Sequence, residues 1–263
     1  MSPMNYTSIL LSTRGRVTTI SLNRPDRRNA LNDVMISELT DAFGTANRDH
    51  QIRVVILTGE GLSFCAGMDL EYLRRTSELG QAENLEDARN LMKLLESIHA
   101  LKKPVAAMVN GPALGGGCGL AAACDFVFAA KEKARLGAPE VKLGFLPALI
   151  LPYLMKRMGE SSAREFVLRG EILKAEAAKA KGLVSEVVDD GSLTSKVLEF
   201  ADQLARSTSG SSLMLTKELF SRYDEMDTRN AMEYAANLNA LARKTDDFRR
   251  GIDAFLRKED IDW

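Results

Sequence analysis

A short apolar run that ends in glycines is the strongest constraint on how this chain folds. Val105 to Val109 is uniformly apolar, Asn110-Gly111-Pro112 follows as a turn, and Gly115, Gly116 and Gly117 come soon after. A run of this length bounded by turn residues suits a strand buried on both faces, as in a parallel sheet. Parallel strands need crossover connections, usually helices. Gly115 to Ala123 reads as a short helix and Phe126 to Ala129 as the next strand. The same parts stand upstream: Val54 to Leu57 as a strand, Thr58 to Gly67 as a loop, Asp69 to Arg75 as a short helix. The phrases TGEGLSFCAGMDL and NGPALGGGCGL are loosely alike, each a strand exit, a Gly/Ala turn and a helix start. The expectation is a layered α/β chain with a weak internal repeat.

Around that frame, Ile9 to Ser12 and Val17 to Leu22 flank Thr13-Arg14-Gly15-Arg16 and predict a hairpin. A helix is expected over 32–48, capped by Asn32 or Asp33, with Met35, Leu39, Ala42, Phe43 and Ala46 on one face. Thr76 to Asp87 reads as a polar surface loop. A helix from Leu85 or Ala88 to Leu101 follows, with Leu91, Leu95 and Ile98 inward. Beyond about Ser192 only helical patterns remain: Leu193 to Ala205, Ser212 to Arg222, Arg229 to Arg243 and Phe248 to Arg257. The expected division is an α/β core over 1–195 and a helical region over 196–263.

Composition closes off several functions. Lys and Arg number 35 against 36 Asp and Glu, a net charge of −1, so there is no basic footprint for nucleic acid and no polybasic membrane anchor. The apolar run Phe145 to Met155 is broken by Pro147 and Pro152 and falls short of the ~18 residues of a membrane span. The first ten residues lack the charged segment and apolar core of a secretory signal. Cys65, Cys118 and Cys124 are odd in number and without CxxC spacing, which suits reduced, packed thiols in a cytoplasmic protein. No His/Cys spacing predicts a metal, no GxSxG predicts a serine nucleophile, and neither His50 nor His99 has a partner signal.

Backbone donors and carboxylates remain. Gly115 to Gly117 leave bare N–H groups at the positive end of a helix, where an anion can sit; the same glycines equally suit close helix–strand packing. No Lys follows them, so they are not a P-loop. Gly117, Gly119 and Ala122 match GxGxxA, but the preceding strand ends too early and Glu140, the acid about 20 positions on, does not end a strand. The turn Phe64 to Leu70 has the same build, with Asp69 as its helix cap. Two such turns facing each other would aim two N–H groups at one point and stabilise an enolate or oxyanion. Glu140 stands between Gly137-Ala138-Pro139 and an apolar run. It reads as a solvated surface acid or as a carboxyl whose pKa apolar neighbours raise toward neutrality.

These residues carry a resemblance. The chain resembles the enoyl-CoA hydratase/isomerase (crotonase) family in Leu22-Asn23-Arg24-Pro25 with Asn29-Ala30-Leu31, in Phe64 to Leu70, and in Asn110-Gly111 with Gly115 to Cys118. Cys124-Asp125, Pro139-Glu140 and Lys181-Gly182-Leu183-Val184 extend the likeness over nearly the whole chain. Gly144 to Ala148 and the ending Asn239 to Trp263 look most like bacterial methylglutaconyl-CoA hydratase-like members. The resemblance implies a repeated ββα spiral core with a C-terminal helical trimerisation region, and trimers that pair into hexamers. It implies a coenzyme A thioester as substrate and no permanently bound cofactor or metal.

By the same resemblance the oxyanion hole falls on the N–H groups of Met68 and Gly116, and the acid–base residue on Glu140. The CoA cradle falls on Arg28, Ala30, Ala66, Met68, Asp69, Leu70 and Glu71. Phe255 and Lys258 would reach the CoA of a neighbouring subunit, and Arg24, Arg27, Arg28, Arg257 and Lys258 supply local positive charge for its phosphates. One position departs: two-Glu hydratases carry an acid just after Gly-Gly-Gly-Cys, where this chain has Gly119. The expected reaction is hydration of a 2-enoyl-CoA, methylglutaconyl-CoA-like, in fatty-acid or branched-chain acyl-CoA catabolism. Isomerisation of a Δ3 to a Δ2 double bond by Glu140 alone is the alternative. An acyl-CoA binder without activity, Gly119 marking decay, is the alternative of another class.

Overall fold

In the computed structural model, which describes residues 6–223 and 225–263, the strands are β1 (Ile9–Arg14), β2 (Val17–Leu22), β3 (Val54–Gly59), β4 (Val105–Val109), β5 (Pro112–Leu114), β6 (Phe126–Ala130), β7 (Arg135–Gly137), β8 (Ile172–Lys174) and β9 (Glu186–Val188). One sheet runs in the order β1-β2-β3-β4-β6-β9; its first pair is the expected antiparallel hairpin and every later pair is parallel. A small second sheet, β5-β7-β8, stands beside it.

The helices are α1 (Asp33–Arg48), α2 (Leu70–Thr76), α3 (Gln81–His99), α4 (Gly116–Ala123), α5 (Leu151–Leu168), α6 (Ala175–Ala180), α7 (Leu193–Ser207), α8 (Gly210–Tyr223), α9 (Thr228–Ala242) and α10 (Asp246–Arg257). Every residue of β3 and β4 is buried, so both faces of the sheet are covered. Helix α7 packs across β2, β3, β4 and β6, while α1 packs on β1 and β2 and α4 on β4. The helix expected at 32–48 is α1, capped by Asn32 Oδ1 accepting from Met35 N at 3.0 Å, and its five expected core residues are buried. All three cysteines are free and buried.

The loop expected over 76–87 is corrected. Helix α3 starts at Gln81, so only residues 77–80 link it to α2. The Glu83 carboxylate accepts from Gly80 N at 3.0 Å and closes the first turn. The Tyr72 hydroxyl donates to Asp87, holding α2 against α3. The N-terminal half of α3 is polar because it faces solvent; Leu94, Leu95 and Ile98 bury only the far half, with Leu91 half-buried. The turn at 110–112 is shorter than expected, because Pro112 already opens β5.

After Ser192 the described residues form α7 to α10 and no strand. Lys217 Nζ on α8 lies 2.5 Å from Asp125 Oδ2, which also accepts from Val105 N at 2.7 Å. Arg53 donates to the Thr208 carbonyl at 2.6 Å.

Because β2, β3 and β4 are parallel, their C-terminal ends share one edge, and the connections at 23–32, 60–69 and 110–115 all leave from it. In open parallel sheets this edge is where ligands bind.

Candidate active site

Backbone hydrogen bonds join the connections at that edge. Leu31 N donates to Gly67 O at 2.8 Å and Asp69 N to Leu31 O at 2.9 Å. Cys65 N donates to Pro112 O at 3.0 Å and Leu114 N to Cys65 O at 2.9 Å. Gly115 N donates to Gly137 O at 2.8 Å and brings in the segment that carries Glu140. The sequence folds this way because Asn29 directs the first connection. It is buried and left-handed at φ +56°; its Oδ1 accepts from Arg24 N and its Nδ2 donates to the Glu60 and Ser63 carbonyls, both at 2.8 Å. Left-handed Asn, with a short side chain that bonds local backbone, is the residue type for this task.

The two Gly/Ala turns meet. Gly67 (φ +95°) and Gly115 (φ +51°) hold left-handed conformations that glycine alone adopts at low cost. A β-carbon on Gly67 would lie 3.7 Å from Gly116 N. One on Gly115 would lie 2.9 Å from Glu140 Oε1 and 3.9 Å from Gly67 Cα. Met68 sits between the two residues that bond Leu31, so its own N–H points away from that bridge and meets no acceptor among the described residues. Gly116 opens α4, so its N–H has no intrahelical acceptor. Met68 N–H, Gly116 N–H and the Glu140 carboxyl therefore share one small region. Burial pushes the Glu140 pKa up, a backbone N–H bond opposes it, and Oε2 is buried with no partner among the described residues.

Gly117 answers the packing reading. A β-carbon there would lie 2.2 Å from the Cys65 carbonyl oxygen, so this glycine lets the two turns touch. The GxGxxA match makes no dinucleotide loop, because β5 stands between β4 and α4. Gly119 faces the side chain of Ile150, whose Cγ2 would lie 2.1 Å from a β-carbon. Ile150 lies inside the apolar run 145–155, but nothing local in the sequence marks its contact with α4.

The other expected site residues divide. Ala66 N donates to Arg28 O, and Ala30, Ala66, Met68 and Asp69 line the joined connections. Asp69 caps α2 through Glu71 N and Tyr72 N. Its burial alone would raise its pKa; the bonds from Arg24 and the two N–H groups outweigh that and hold it below the usual range. Arg24 is spent locally, 3.1 Å from Asp69 Oδ2 and 2.6 Å from the Ala30 carbonyl, and Arg27 pairs with Glu71. Arg28, Leu70 and Glu71 are exposed at the rim. Phe255 and Lys258 are exposed at the end of α10, which packs on α8. His50 is exposed and His99 stacks edge-on against Tyr153 at 5.3 Å. Among the described residues no cluster of three metal-ligating side chains occurs, and no helix is long and apolar enough to cross a membrane.

The chain belongs to the enoyl-CoA hydratase/isomerase family, whose model matches residues 12–263. It is 36% identical over 256 residues to the 2,3-dehydroadipyl-CoA hydratase of Escherichia coli, covering 97% of this chain and 98% of that protein. It is 34% identical over 257 residues to the crotonyl-CoA hydratase of Syntrophomonas wolfei, covering 97% of each. The crystal structure of an enoyl-CoA hydratase from Mycobacterium smegmatis superposes with a TM-score of 0.91 at 30% identity, over 98% of this chain and 99% of that one. The family is one of acyl-CoA enzymes, and hydration of enoyl-CoA is the activity its named relatives share.

Proposed function

We propose that this enzyme hydrates a 2-enoyl-CoA with Glu140 as its acid–base residue and the N–H groups of Met68 and Gly116 as its oxyanion hole. The observation that carries this reading is the meeting of Gly67, Gly116 and the Glu140 carboxyl at one sheet edge. The thioester carbonyl oxygen accepts from both N–H groups. The carboxylate takes a proton from water as its oxygen bonds C3, and electrons move to the carbonyl oxygen. The enolate then collapses and C2 takes the proton from the carboxyl. Removal of one such donor typically costs about 10²–10³ in rate. Arg28, Ala30, Ala66, Met68, Asp69, Leu70 and Glu71 hold the CoA, and Phe255 and Lys258 complete it from a neighbouring copy in a trimer or a hexamer. A methylglutaconyl-like acyl group is the finer proposal, supported by the likeness of 144–148 and 239–263.

The contact between Gly119 and Ile150 favours a second reading, isomerisation. One carboxyl then takes the C2 proton of a 3-enoyl-CoA and returns a proton to C4, with no water added. Mass spectrometry of incubations with crotonyl-, 3-methylglutaconyl- and 3-enoyl-CoA tests both, since only hydration adds the mass of water. Glu140→Gln is expected to keep CoA-ester binding and lose about 10²–10⁴ in turnover, the range for a general acid–base group. Parental activity in that variant rejects the mechanism. Binding without turnover across the panel would leave the reading of a binder.

A further inference from the structure

Only Asp69 separates Met68 from helix α2, and little holds that helix to the rest of the chain. It has seven residues and buries two of them, Tyr72 and Thr76. A helix this short does not stand by itself in water, because its nucleation cost is repaid over too few bonds. Thr76 spends its hydroxyl on the Leu73 carbonyl of the same helix. Arg27 pairs with Glu71 at 3.5 Å, but both side chains are exposed, and such pairs contribute about 0–1 kcal/mol. Two partly buried polar ties remain among the described residues. One is the Asp69 cap, whose Oδ2 lies 3.1 Å from Arg24 Nη2. The other is Tyr72, whose hydroxyl donates to Asp87 Oδ1 on α3. Burial and then the bond to Asp87 push the Tyr72 pKa up; Asp33 adds to this, and the Arg75 guanidinium, 5.3 Å over the ring, opposes it. The phenol therefore stays a donor at neutral pH.

We infer that Tyr72, through Asp87, is a positioning residue for the oxyanion hole: by tying the first turn of α2 to α3 it fixes the direction of the Met68 N–H. This rests on the Met68 N–H being one of the two donors. The Gly67–Met68 peptide is held on one side by Leu31 N, which donates to Gly67 O. On the other side it runs into Asp69 and the first turn of α2, where Leu73 N donates to Asp69 O at 2.9 Å and Tyr72 N to Asp69 Oδ1 at 3.4 Å. Movement of Tyr72 is therefore passed to the residue that follows the donor. A donor aimed before charge develops needs no reorganisation at the moment of reaction, which is what makes it effective. A misplacement of about 1 Å can cost about 10²-fold in rate.

The test compares the parent with Tyr72→Phe, which keeps the ring and removes the hydroxyl, Asp87→Ala, which removes the acceptor, and Asp87→Asn, which leaves an acceptor oxygen. Values of kcat and KM are measured with the crotonyl-, 3-methylglutaconyl- or 3-enoyl-CoA that the parent converts, at a temperature where circular dichroism shows each variant folded. Infrared difference spectroscopy reads the carbonyl stretch of bound butyryl-CoA, which neither hydrates nor isomerises; hydrogen bonds to the oxygen lower its frequency. Tyr72→Phe and Asp87→Ala are each expected to lower kcat about tenfold, less than the about 10²–10³ for losing a donor outright, with KM within about threefold. In both, the bound carbonyl frequency should rise toward that of the free ester. The double variant should lose no more than either single one, since both remove the same bond. Asp87→Asn is expected to keep kcat within about threefold of the parent, because its Oδ1 still accepts. Asp87→Ala keeps the test alive if Tyr72→Phe fails to fold, and the frequency decides it if the parent converts none of the esters. Unchanged kcat and frequency in a folded Tyr72→Phe or Asp87→Ala variant, whatever its melting temperature, overturns the inference, as does an equal loss in Asp87→Asn. A parent whose bound butyryl-CoA shows no lowered frequency instead rejects the oxyanion reading, and full activity in Glu140→Gln rejects the acid–base one, both distinguishable results.

Discussion

The glycines of residues 115–119 look interchangeable in the sequence and are not. Gly115 gives the turn its left-handed backbone, Gly117 lets Cys65 approach, and Gly119 makes room for Ile150. The obstacle at Gly117 is a backbone carbonyl that cannot yield, whereas at Gly119 it is a side chain. Gly117→Ala is therefore expected at or above the upper end of the about 1–3 kcal/mol of overpacking, and Gly119→Ala below it but within that range, because Ile150 can shift only with α5; the about 1 kcal/mol of helix propensity offsets both. Urea unfolding of both variants checks the order, and equal losses would contradict it. Glu140 makes a separate prediction. Its folded pKa is raised by burial, so the proton is held more tightly in the folded state. The stability this gives is full below the unfolded carboxyl pKa and is lost as pH rises through the folded one. Glu140→Gln should then melt higher than the parent above that pKa while losing turnover. As the deprotonated form is the base, kcat/KM of the parent should fall on the acid side with a midpoint above the ordinary carboxylate range. The two Gly/Ala turns that carry Met68 and Gly116 and the Gly-Ala-Pro turn before Glu140 were visible in the sequence, because each is marked by its own small residues. The contact of Ile150 with Gly119 was not, because packing against a distant glycine leaves no periodic trace.

Among elements, length alone did not decide what could be read: α1, β3, β4 and the short α2 and α4 were expected, whereas the 18-residue α5 was not. β3, β4 and α1 are set by runs of apolar residues whose period survives without tertiary help. β7, β8 and β9 have three residues each, too few to show an alternation, and exist because neighbouring strands offer them partners, β5 to β7, β7 to β8 and β6 to β9. The start of α3 was hidden for the opposite reason: a solvent-facing first half carries no apolar stripe, and its cap is a Glu83–Gly80 contact. The attachment of α8 was equally silent in the sequence. Lys217 is buried and meets Asp125, whose carboxyl is partly exposed and keeps the Val105 N–H when the lysine is removed. Lys217→Ala is therefore expected to loosen α8 to α10 without unfolding the sheet. Hydrogen exchange should quicken in 210–257 and stay unchanged in β3 and β4; uniform quickening would mean that the pair supports the whole fold.

For the whole molecule, a net charge of −1 is an average that hides where the cations are. Arg24 and Arg27 are paired locally, so the basic groups left for a polyphosphate ligand near the sheet edge are few. Arg28 stands exposed at the rim and Lys258 at the end of α10. Helix α10 buries no residue in the single chain, although Phe248, Ile252, Phe255 and Leu256 form one apolar face, with Phe255 81% exposed. A face of spacing i, i+4, i+7, i+8 is the pattern of a helix that packs against something, and a contiguous exposed patch of this kind marks an interaction surface. We therefore propose that copies of the chain cover it and that assembly brings Phe255 and Lys258 to a neighbour's CoA. Sedimentation velocity is expected to give three or six times 28.9 kDa for the parent. Ile252→Asp should shift the mass toward the single chain and raise KM for the CoA ester, while Lys258→Ala, outside the apolar face, should raise KM alone. A monomeric Ile252→Asp variant with unchanged KM would show that each site is complete within one chain.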